Sequence, residues 1–320
     1  MFAAYAARID KEQPLDGLEL GDRPEPAVPD HWTSIEVKAA SLNHHDLWSL
    51  RGVGLGEDSL PMILGCDAAG VDADGNEVVL HSVIGATGHG VGPREQRTLL
   101  TEKYQGTFAE RVAVPSWNVL PKPKQLSFEE AACLPTAWLT AYRMLFTNAG
   151  VRPGDSVLVQ GAGGGVATAA IVLGAAAGLR VFATSRSEDK RKRAVELGAE
   201  AAVESGARLP QRVDAVLETV GAATWSHSLK SLKPGGTVVI SGATSGPNPP
   251  ATELNRVFFL ELKVVGSTMG SKEELASLLD FCATKGVRPV IDSTLPLDRA
   301  REGFAKMAEG ELFGKIVLTV

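Results

Sequence analysis

The sequence lacks several features that would place it in common protein classes. It has three cysteines in 320 residues (Cys66, Cys133 and Cys282), and none of them forms a Cys-x-x-Cys pair. This argues against a disulfide scaffold or a structural zinc knot and fits a reducing compartment. The formal net charge is −6, from 32 basic and 38 acidic residues. The sequence therefore has no excess of basic residues that would indicate nucleic acid or an anionic membrane as a partner.

Long apolar segments are also missing. The longest apolar run, at 168–179, contains Gly174 and Gly178 and is too short to span a bilayer. The first ten residues have no basic region and no long apolar core, so we expect no signal peptide and a cytoplasmic location. A hydrophobic content of 44% and a charged content of 22% are typical of a soluble globular protein, and the length suits two domains.

The second half of the chain alternates strand-like and helical segments. Strands are predicted at 157–160, 180–184, 213–217, 237–241 and within 257–267, and helices at 166–177, 187–197, 223–232 and 273–284. This order predicts βαβ units and an α/β fold with a doubly wound parallel sheet.

The first half has a different character. Short strand-like segments at 33–40, 77–80 and 106–114 stand between Gly, Pro, Asp and Asn, which favours an antiparallel, barrel-like domain. The β-branched segment 314–320 has no helix after it, so it could pair back with this domain. The parallel sheet would then be an insertion between the two parts of the first domain.

A glycine cluster at 161–165 follows the first strand of the parallel sheet. Glycine permits positive φ and lets the backbone approach a bulky guest closely. The N–H groups at the start of the next helix favour an anion, so a dinucleotide pyrophosphate is the natural guest. Glycine-rich turns also occur simply to close a strand against a helix, so the flanking residues must decide.

The end of the second parallel strand lacks the acidic residue that binds the ribose hydroxyls of NAD. Ser185 and Arg186 stand there instead, with Lys190 one helical turn further on. A hydroxyl and a guanidinium suit a 2′-phosphate, so the sequence favours NADPH over NADH. The alternative is that Ser187 only caps a surface helix. The two interpretations use different residues and are compatible.

Several motifs occur in one order along the chain: SLNHHD at 41–46, LGCDAAG at 64–70, GTFAE at 106–110, LPTAWLTAY at 134–142, ETVG at 218–221, KPGG at 233–236 and GKIVL at 314–318. With them the chain resembles the medium-chain dehydrogenase/reductase superfamily, in particular its zinc-independent quinone oxidoreductase-like branch. The resemblance implies a GroES-like β-barrel-type catalytic domain (1–120 and 287–320), a Rossmann dinucleotide-binding domain (121–286), an active site in the cleft between them, and a homodimer.

The resemblance also implies which residues contact the cofactor. Thr140, Gly242, Ala243 and Thr244 would face the nicotinamide, Thr219 and Val220 would line the ribose, and Gly161, Gly163, Gly164, Gly165 and Val166 would hold the pyrophosphate. Lys315 is counted with these cofactor contacts. Ser205 stands where many NADPH-using relatives have a tyrosine, which is a departure from that pattern.

The positions that bind catalytic zinc in metal-dependent relatives correspond to Asn43, Cys66 and Thr136, of which only Cys66 is a strong ligand. Residues 81–103 contain no cysteine, so the structural zinc lobe is missing too. A rebuilt site from His44, His45, Cys66 and Asp67 is disfavoured, because adjacent histidines on a strand point to opposite faces. We therefore expect no metal. We take His89 as a solvated loop residue.

Without a Lewis acid, reduction of a quinone or an enone is easier than reduction of an isolated ketone, since the negative charge spreads into an enolate or phenolate. We predict an NADPH-dependent reductase of such small molecules. Asn43, Trp48, Cys66 and Thr136 would line the substrate pocket, and His44 or His45 would act as proton donor or as a structural histidine. The alternatives are an alcohol or aldehyde dehydrogenase and a non-catalytic NADPH-binding structural or redox-sensing protein.

Overall fold

The computed structural model describes residues 1–85 and 95–320, and in it the chain forms two compact units. The first unit comprises Met1–Leu139 and Gly270–Val320, and the second comprises Thr140–Met269. These bounds differ from the predicted ones, which assigned 121–286 to the nucleotide domain. The segment after residue 269 belongs to the first unit because Nε2 of His81 lies 2.8 Å from the carbonyl oxygen of Gly270.

The strands are numbered in chain order, and their bounds are β1 (Phe2–Ala6), β2 (Leu18–Asp22), β3 (Trp32–Ser41), β4 (Met62–Ile63), β5 (Asp67–Val71), β6 (Glu77–Leu80), β7 (Val83–Gly85), β8 (Arg97–Leu99), β9 (Arg111–Pro115), β10 (Val119–Pro121), β11 (Ser156–Val159), β12 (Arg180–Thr184), β13 (Ala201–Val203), β14 (Val213–Glu218), β15 (Leu232–Ile240), β16 (Lys263–Gly266), β17 (Ile291–Pro296) and β18 (Lys315–Thr319). The α-helices are α1 (His44–Leu50), α2 (Phe128–Ala132), α3 (Leu139–Tyr142), α4 (Gly165–Ala176), α5 (Glu188–Glu196), α6 (Trp225–Ser231), α7 (Leu254–Phe259), α8 (Lys272–Lys285) and α9 (Ala300–Glu309).

The main sheet of the first unit has the strand order β10-β6-β5-β3-β18-β17, and β9 also pairs with β3. The last strand, β18, runs antiparallel to β3, with Val317 opposite Ser41, and parallel to β17. This confirms that the C-terminal segment pairs back with the N-terminal domain. The first unit therefore depends on residues from both ends of the chain.

An apolar core fills the first unit. Its large side chains come from distant parts of the sequence, including Leu18, Ile35, Phe108 and Phe304, all of which are fully buried. The rings of Phe108 and Phe304 meet edge to face with their centroids 6.0 Å apart, a favoured aromatic geometry. Helix α9 is thereby fixed to the N-terminal half of this unit.

The second unit is built on a parallel sheet with the order β13-β12-β11-β14-β15-β16. Every described pairing in it is parallel, which confirms the predicted doubly wound sheet. The central strand β11 is buried along its whole length, as expected for a parallel strand covered on both faces. The apolar core of the second unit includes Leu158, Phe182, Val216 and Val238.

The structure differs from the predicted elements in three places. His44 and His45 begin helix α1 and do not lie on a strand, so the argument that they point to opposite faces of a sheet is wrong. Helix α7 covers the start of the segment 257–267, in which a strand was predicted. The predicted strand is β16, in the later part of that segment. A strand was predicted at 106–114, but the observed strand β9 begins only at Arg111.

No helix within residues 1–85 and 95–320 is both long enough and apolar enough to cross a membrane.

The sharp turn before β18 gives a test of the first unit. Gly314 has φ +112°, and a Cβ there would overlap the carbonyl oxygen of Val290. Gly310 has φ +74° but open space around it. We expect Gly314→Ala to lower the free energy of unfolding by roughly 2–5 kcal/mol, from strain plus overlap. Gly310→Ala should lower it by about 1 kcal/mol, from backbone strain alone. Urea unfolding followed by tryptophan fluorescence measures both, and equal losses would contradict the account.

Candidate active site

The glycine turn of the second unit lies between β11 and α4. Gly161 has φ +84°, a conformation that glycine adopts without strain. Gly164 precedes the first turn of α4, has no side chain to cap it, and has open space where a Cβ would stand. The N–H groups at the start of this twelve-residue helix therefore face a space that suits a pyrophosphate.

The end of β12 carries a group of cationic side chains. Ser185 is almost buried and accepts a hydrogen bond from the N–H of Ser187 through its Oγ, while Arg186 is exposed. Arg191, which the sequence analysis missed, donates from Nη1 to the carbonyl oxygen of Ser185 at 2.7 Å. This contact could not be recognised from the sequence, because Arg191 is six residues away from Ser185. The guanidinium reaches the end of β12 because α5 begins directly after it.

Helix α5 begins as predicted at this strand end. The Oγ of Ser187 accepts a hydrogen bond from the N–H of Lys190 at 3.3 Å, which confirms Ser187 as the cap of the helix. The first acidic residue of the helix, Glu188, forms an ion pair with Lys192 at 2.8 Å, and this lowers the pKa of its carboxyl. The residues at 185–187 include no carboxylate that would repel a phosphate.

The loops after β14 and β15 run side by side. The N–H of Ser245 donates to the carbonyl oxygen of Val220 at 2.7 Å, and the N–H of Thr244 donates to that of Thr219 at 3.3 Å. The structure thus brings together four of the predicted contacts, Thr219, Val220, Ala243 and Thr244, with Gly242 at the start of the second loop. Thr140 lies in α3 and is nearly buried.

A buried polar network stands in the first unit where zinc-dependent relatives have their ligands. Asp67 is its centre. The Nδ2 of Asn43 donates to Asp67 Oδ2 at 2.8 Å, and the Oγ of Ser82 donates to Asp67 Oδ1 at 3.2 Å. The hydroxyl of Thr136 also donates to Asp67 Oδ1. The side chains of Asn43, Ser82 and Thr136 therefore all donate hydrogen bonds to the carboxylate of Asp67.

Lys315 completes this network. Its ammonium is 2% exposed, donates to the Leu42 carbonyl oxygen and to Asn43 Oδ1 at 2.6 Å each, and lies 3.5 Å from Asp67 Oδ2. The ammonium therefore has two hydrogen bonds and one ion pair inside the first unit. The predicted contact between Lys315 and the cofactor stays a prediction, and the partners of its ammonium in this structure belong to the first unit.

Cys66 stands apart from the network around Asp67. Its thiol is fully buried and donates to the carbonyl oxygen of Leu100 at 3.4 Å. Burial raises the pKa of this thiol well above its usual value, so it is held in the protonated form. A protonated thiol is a poor nucleophile.

The residues present do not fit a catalytic zinc. Of the three corresponding positions, Asn43 and Thr136 are hydrogen-bonded to Asp67, and Cys66 is a buried thiol. Within the described ranges 1–85 and 95–320, no three His, Cys, Asp or Glu side chains are grouped so that they could hold a metal ion. His89 lies outside the described residues.

Helix α1 carries the two candidate histidines. Nε2 of His45 lies 3.0 Å from the hydroxyl of Thr101 and 3.4 Å from that of Ser49, and burial lowers the pKa of its ring. His44 and Trp48 are both exposed and stand four residues apart, so they share one face of the helix. The predicted pocket residue Trp48 thus has His44 as its neighbour, whereas His45 is tied to the interior.

Asp46 holds this helix in place. Its carboxylate accepts hydrogen bonds from the N–H of Asn43 at 2.7 Å and from that of Gly65 at 3.1 Å. Burial raises the pKa of this fully enclosed carboxyl to about 7. The turn at Asn43 and the turn before Cys66 are therefore joined through one side chain.

Comparison with known proteins finds two matching family models and several similar sequences. A family model described as an alcohol dehydrogenase GroES-like domain matches residues 29–124, and one described as a zinc-binding dehydrogenase matches residues 165–284. A zinc-type alcohol dehydrogenase-like protein of Leptosphaeria maculans is 30% identical over 95% of this chain and 94% of its own length. The quinone oxidoreductase of Mus musculus is 29% identical over 92% of this chain and 90% of its own.

A solved structure resembles the whole chain. A crystal structure described as an NAD-dependent alcohol dehydrogenase superposes with a TM-score of 0.91 at 37% identity, and the match covers 100% of both chains. The two family models together match more than half of the sequence. The chain therefore belongs to the medium-chain dehydrogenase/reductase superfamily and is an oxidoreductase with a GroES-like domain and a Rossmann-type sheet.

Proposed function

We propose that this protein is an NADPH-dependent oxidoreductase that transfers hydride to a quinone, an enone or a similarly activated carbonyl without a metal ion. The observation that carries the proposal is the hydrogen-bonded network of Asn43, Asp67, Thr136 and Lys315, in which Asn43 and Thr136 stand at two of the predicted zinc-ligand positions. A site that already satisfies its own polar atoms gives no ligand to zinc. The similarity to quinone oxidoreductase of Mus musculus supports the same chemistry.

NADPH is the proposed cofactor because the strand end at Ser185 has cations and no carboxylate. Arg186 is exposed there, Arg191 is held at the same turn, and Lys190 lies in the first turn of α5. Guanidinium groups bind phosphate with two parallel hydrogen bonds. The pyrophosphate would bind Gly161, Gly163, Gly164, Gly165 and Val166, and the nicotinamide half would bind Thr140, Thr219, Val220, Gly242, Ala243 and Thr244.

When bound, the nicotinamide supplies hydride to carbon, and the protein contributes orientation and exclusion of water. Reduction of an enone leaves negative charge on the carbonyl oxygen, and one proton completes the product. His44 is proposed as the proton donor because it is exposed on α1 beside Trp48, whose ring would form an apolar wall. His45 is proposed to hold α1 through Thr101 and Ser49.

An alcohol dehydrogenase is the second candidate function. The structural match to an NAD-dependent alcohol dehydrogenase at 37% identity favours it. The two candidates differ in metal content, in the direction of the reaction and in the preferred cofactor. They can therefore be separated on one purified sample.

Steady-state kinetics test the proposed function. With protein dialysed against a chelator, we expect turnover of quinones or enones with NADPH and a kcat/KM roughly 100-fold lower with NADH, because two charge-assisted hydrogen bonds are lost. Zinc measured by mass spectrometry should be far below one ion per chain. Stoichiometric zinc with oxidation of alcohols would favour the second candidate. NADPH binding without turnover of any quinone, enone or aldehyde would indicate a non-catalytic protein.

Removal of one cation tests the cofactor assignment. Arg186→Ala should raise the dissociation constant for NADPH about 10- to 100-fold, from the loss of a hydrogen bond to a charged group, and leave that for NADH nearly unchanged. Lys192→Ala is the control, since this ammonium is on the same helix but pairs with Glu188. Isothermal titration calorimetry measures both. An equal loss of NADH affinity in Arg186→Ala would contradict a contact with the 2′-phosphate.

The edge of the parallel sheet supports a homodimer. Among residues 1–85 and 95–320, strand β16 pairs with β15 alone, so its other edge offers unpaired backbone groups. Helix α7 nearby in sequence exposes Leu254, Phe258 and Phe259, the last by 77% of its surface. Exposed apolar groups of this size mark protein interfaces, and a second copy of the chain is the proposed partner.

Val264 on this edge strand gives the test, because it is 47% exposed and Val195 on α5 is exposed to the same extent. We expect the wild-type protein and Val195→Lys to have the mass of a dimer by light scattering, and Val264→Lys to shift toward the monomer. Burial of two unpaired ammonium groups would oppose association. A dimer that withstands Val264→Lys unchanged would exclude this edge as the interface.

A further inference from the structure

A chain of buried hydrogen bonds lies behind the glycine turn in the second unit. We call it the Gln160 network, and its members are Gln160, Thr184, Glu218, Thr224, His227 and Ser228. Five of these side chains are buried, with exposures from 0% to 7%, and His227 is partly buried. None of them is among the predicted cofactor contacts.

The network begins at the backbone of the glycine turn. The N–H of Gly161 donates to the hydroxyl oxygen of Thr184 at 3.1 Å. That hydroxyl donates in turn to Oε1 of Gln160 at 2.9 Å. Thr184 is the last residue of β12, directly before Ser185, so these two bonds join the glycine turn to the end of the strand with the cations.

The amide of Gln160 then fixes the direction of the chain. Its Nε2 donates to the hydroxyl of Ser228 at 2.9 Å and lies 2.9 Å from Nδ1 of His227. Nε2 of His227 faces the carbonyl oxygen of Ala207 at 2.8 Å, and a carbonyl only accepts. The proton of His227 is therefore on Nε2, and Nδ1 accepts from Gln160. Both N–H groups of the amide are used.

Glu218 ends the network at the third loop. It is the last residue of β14, and its carboxylate accepts from the hydroxyls of Ser228 and Thr224. The same carboxylate accepts from the N–H of Val220 at 2.8 Å and from that of Gly221 at 3.0 Å. A buried charge thus holds the loop that contains Thr219 and Val220.

We infer that Thr184, Gln160 and Glu218 are positioning residues for the dinucleotide site, and this inference rests on the proposed function. They follow or end three neighbouring parallel strands, and their hydrogen bonds terminate on backbone N–H groups of two of the loops that would bind the cofactor. Fully satisfied buried networks make one arrangement of the backbone rigid. The glycine turn, whose residues have little steric preference, is thereby held in one conformation before the cofactor arrives.

A second polar cluster on two of the same strands serves as a control. Asp214, near the start of β14, accepts from the N–H and the hydroxyl of Ser156, the first residue of β11, at 2.8 and 2.7 Å. It also forms an ion pair with Lys233. This cluster stabilises the opposite ends of the strands and contacts none of the proposed cofactor loops. Its loss should affect folding alone.

The experiment compares Thr184→Val, Thr184→Ser, Thr224→Val and the control Ser156→Ala. Valine removes the hydroxyl at nearly constant volume, and serine keeps it. Deuterium exchange of the cofactor-free protein, read in peptides over 160–166 and 218–224, reports the loops directly. Calorimetry gives the dissociation constant for NADPH, and thermal unfolding gives the stability.

We expect Thr184→Val to speed exchange over 160–166 and to raise the dissociation constant for NADPH about tenfold, with serine restoring both. Thr224→Val should speed exchange over 218–224. Ser156→Ala should lower the melting temperature and change neither loop exchange nor NADPH affinity. Unchanged exchange at 160–166 in Thr184→Val, or the same pattern in Ser156→Ala, would overturn the inference. If the wild-type protein binds no NADPH, the proposed function fails, and exchange of the free protein still decides the role of the network.

Discussion

The ion pair between Lys315 and Asp67 is the interaction on which the first unit depends. Both side chains are almost completely removed from water, and such a pair is stable only when its remaining hydrogen-bonding groups are also satisfied. Asn43 and Thr136 satisfy them here. Removing one partner of a buried pair typically costs about 3–5 kcal/mol, so the last strand, the turn before α1 and β5 are joined by a bond that the unit cannot easily lose.

The second unit solves a related problem with a network of buried hydrogen bonds. Parallel strands place their carboxyl ends at one edge of the sheet, where loops must be held without a regular ladder of hydrogen bonds. Thr184, Gln160 and Glu218 provide that support from the ends of three adjacent strands. The glycines of the turn allow the backbone geometry, and the polar network selects one conformation of it. Flexibility and constraint therefore come from different residues.

The sequence predicted the parallel sheet well, because the apolar strands and the interspersed helices have distinct periods, and β12 has the predicted bounds. It predicted less of the site. His44 and His45 were expected on a strand, but they begin a helix at whose cap Asp46 accepts from the N–H of Asn43. A second contact of Asp46, with the N–H of Gly65 nearly twenty residues away, could not be recognised from the sequence. The ion pair of Lys315 with Asp67 was not predicted, because the two residues are far apart in the sequence. A lone polar residue at the end of an apolar strand, such as Gln160 or Glu218, was the signal available for the buried network.

The central claim is that this chain transfers hydride to an activated acceptor without a metal ion, and isotope transfer tests it most directly. The metal-stripped protein would be incubated with NADPH carrying two deuterium atoms at C4 of the nicotinamide and with a cyclic enone, and the product analysed by mass spectrometry. The account predicts one deuterium on the β-carbon of the saturated ketone, at a rate that added zinc does not increase. Absence of deuterium in the product, or transfer that appears only after zinc is restored, would contradict it.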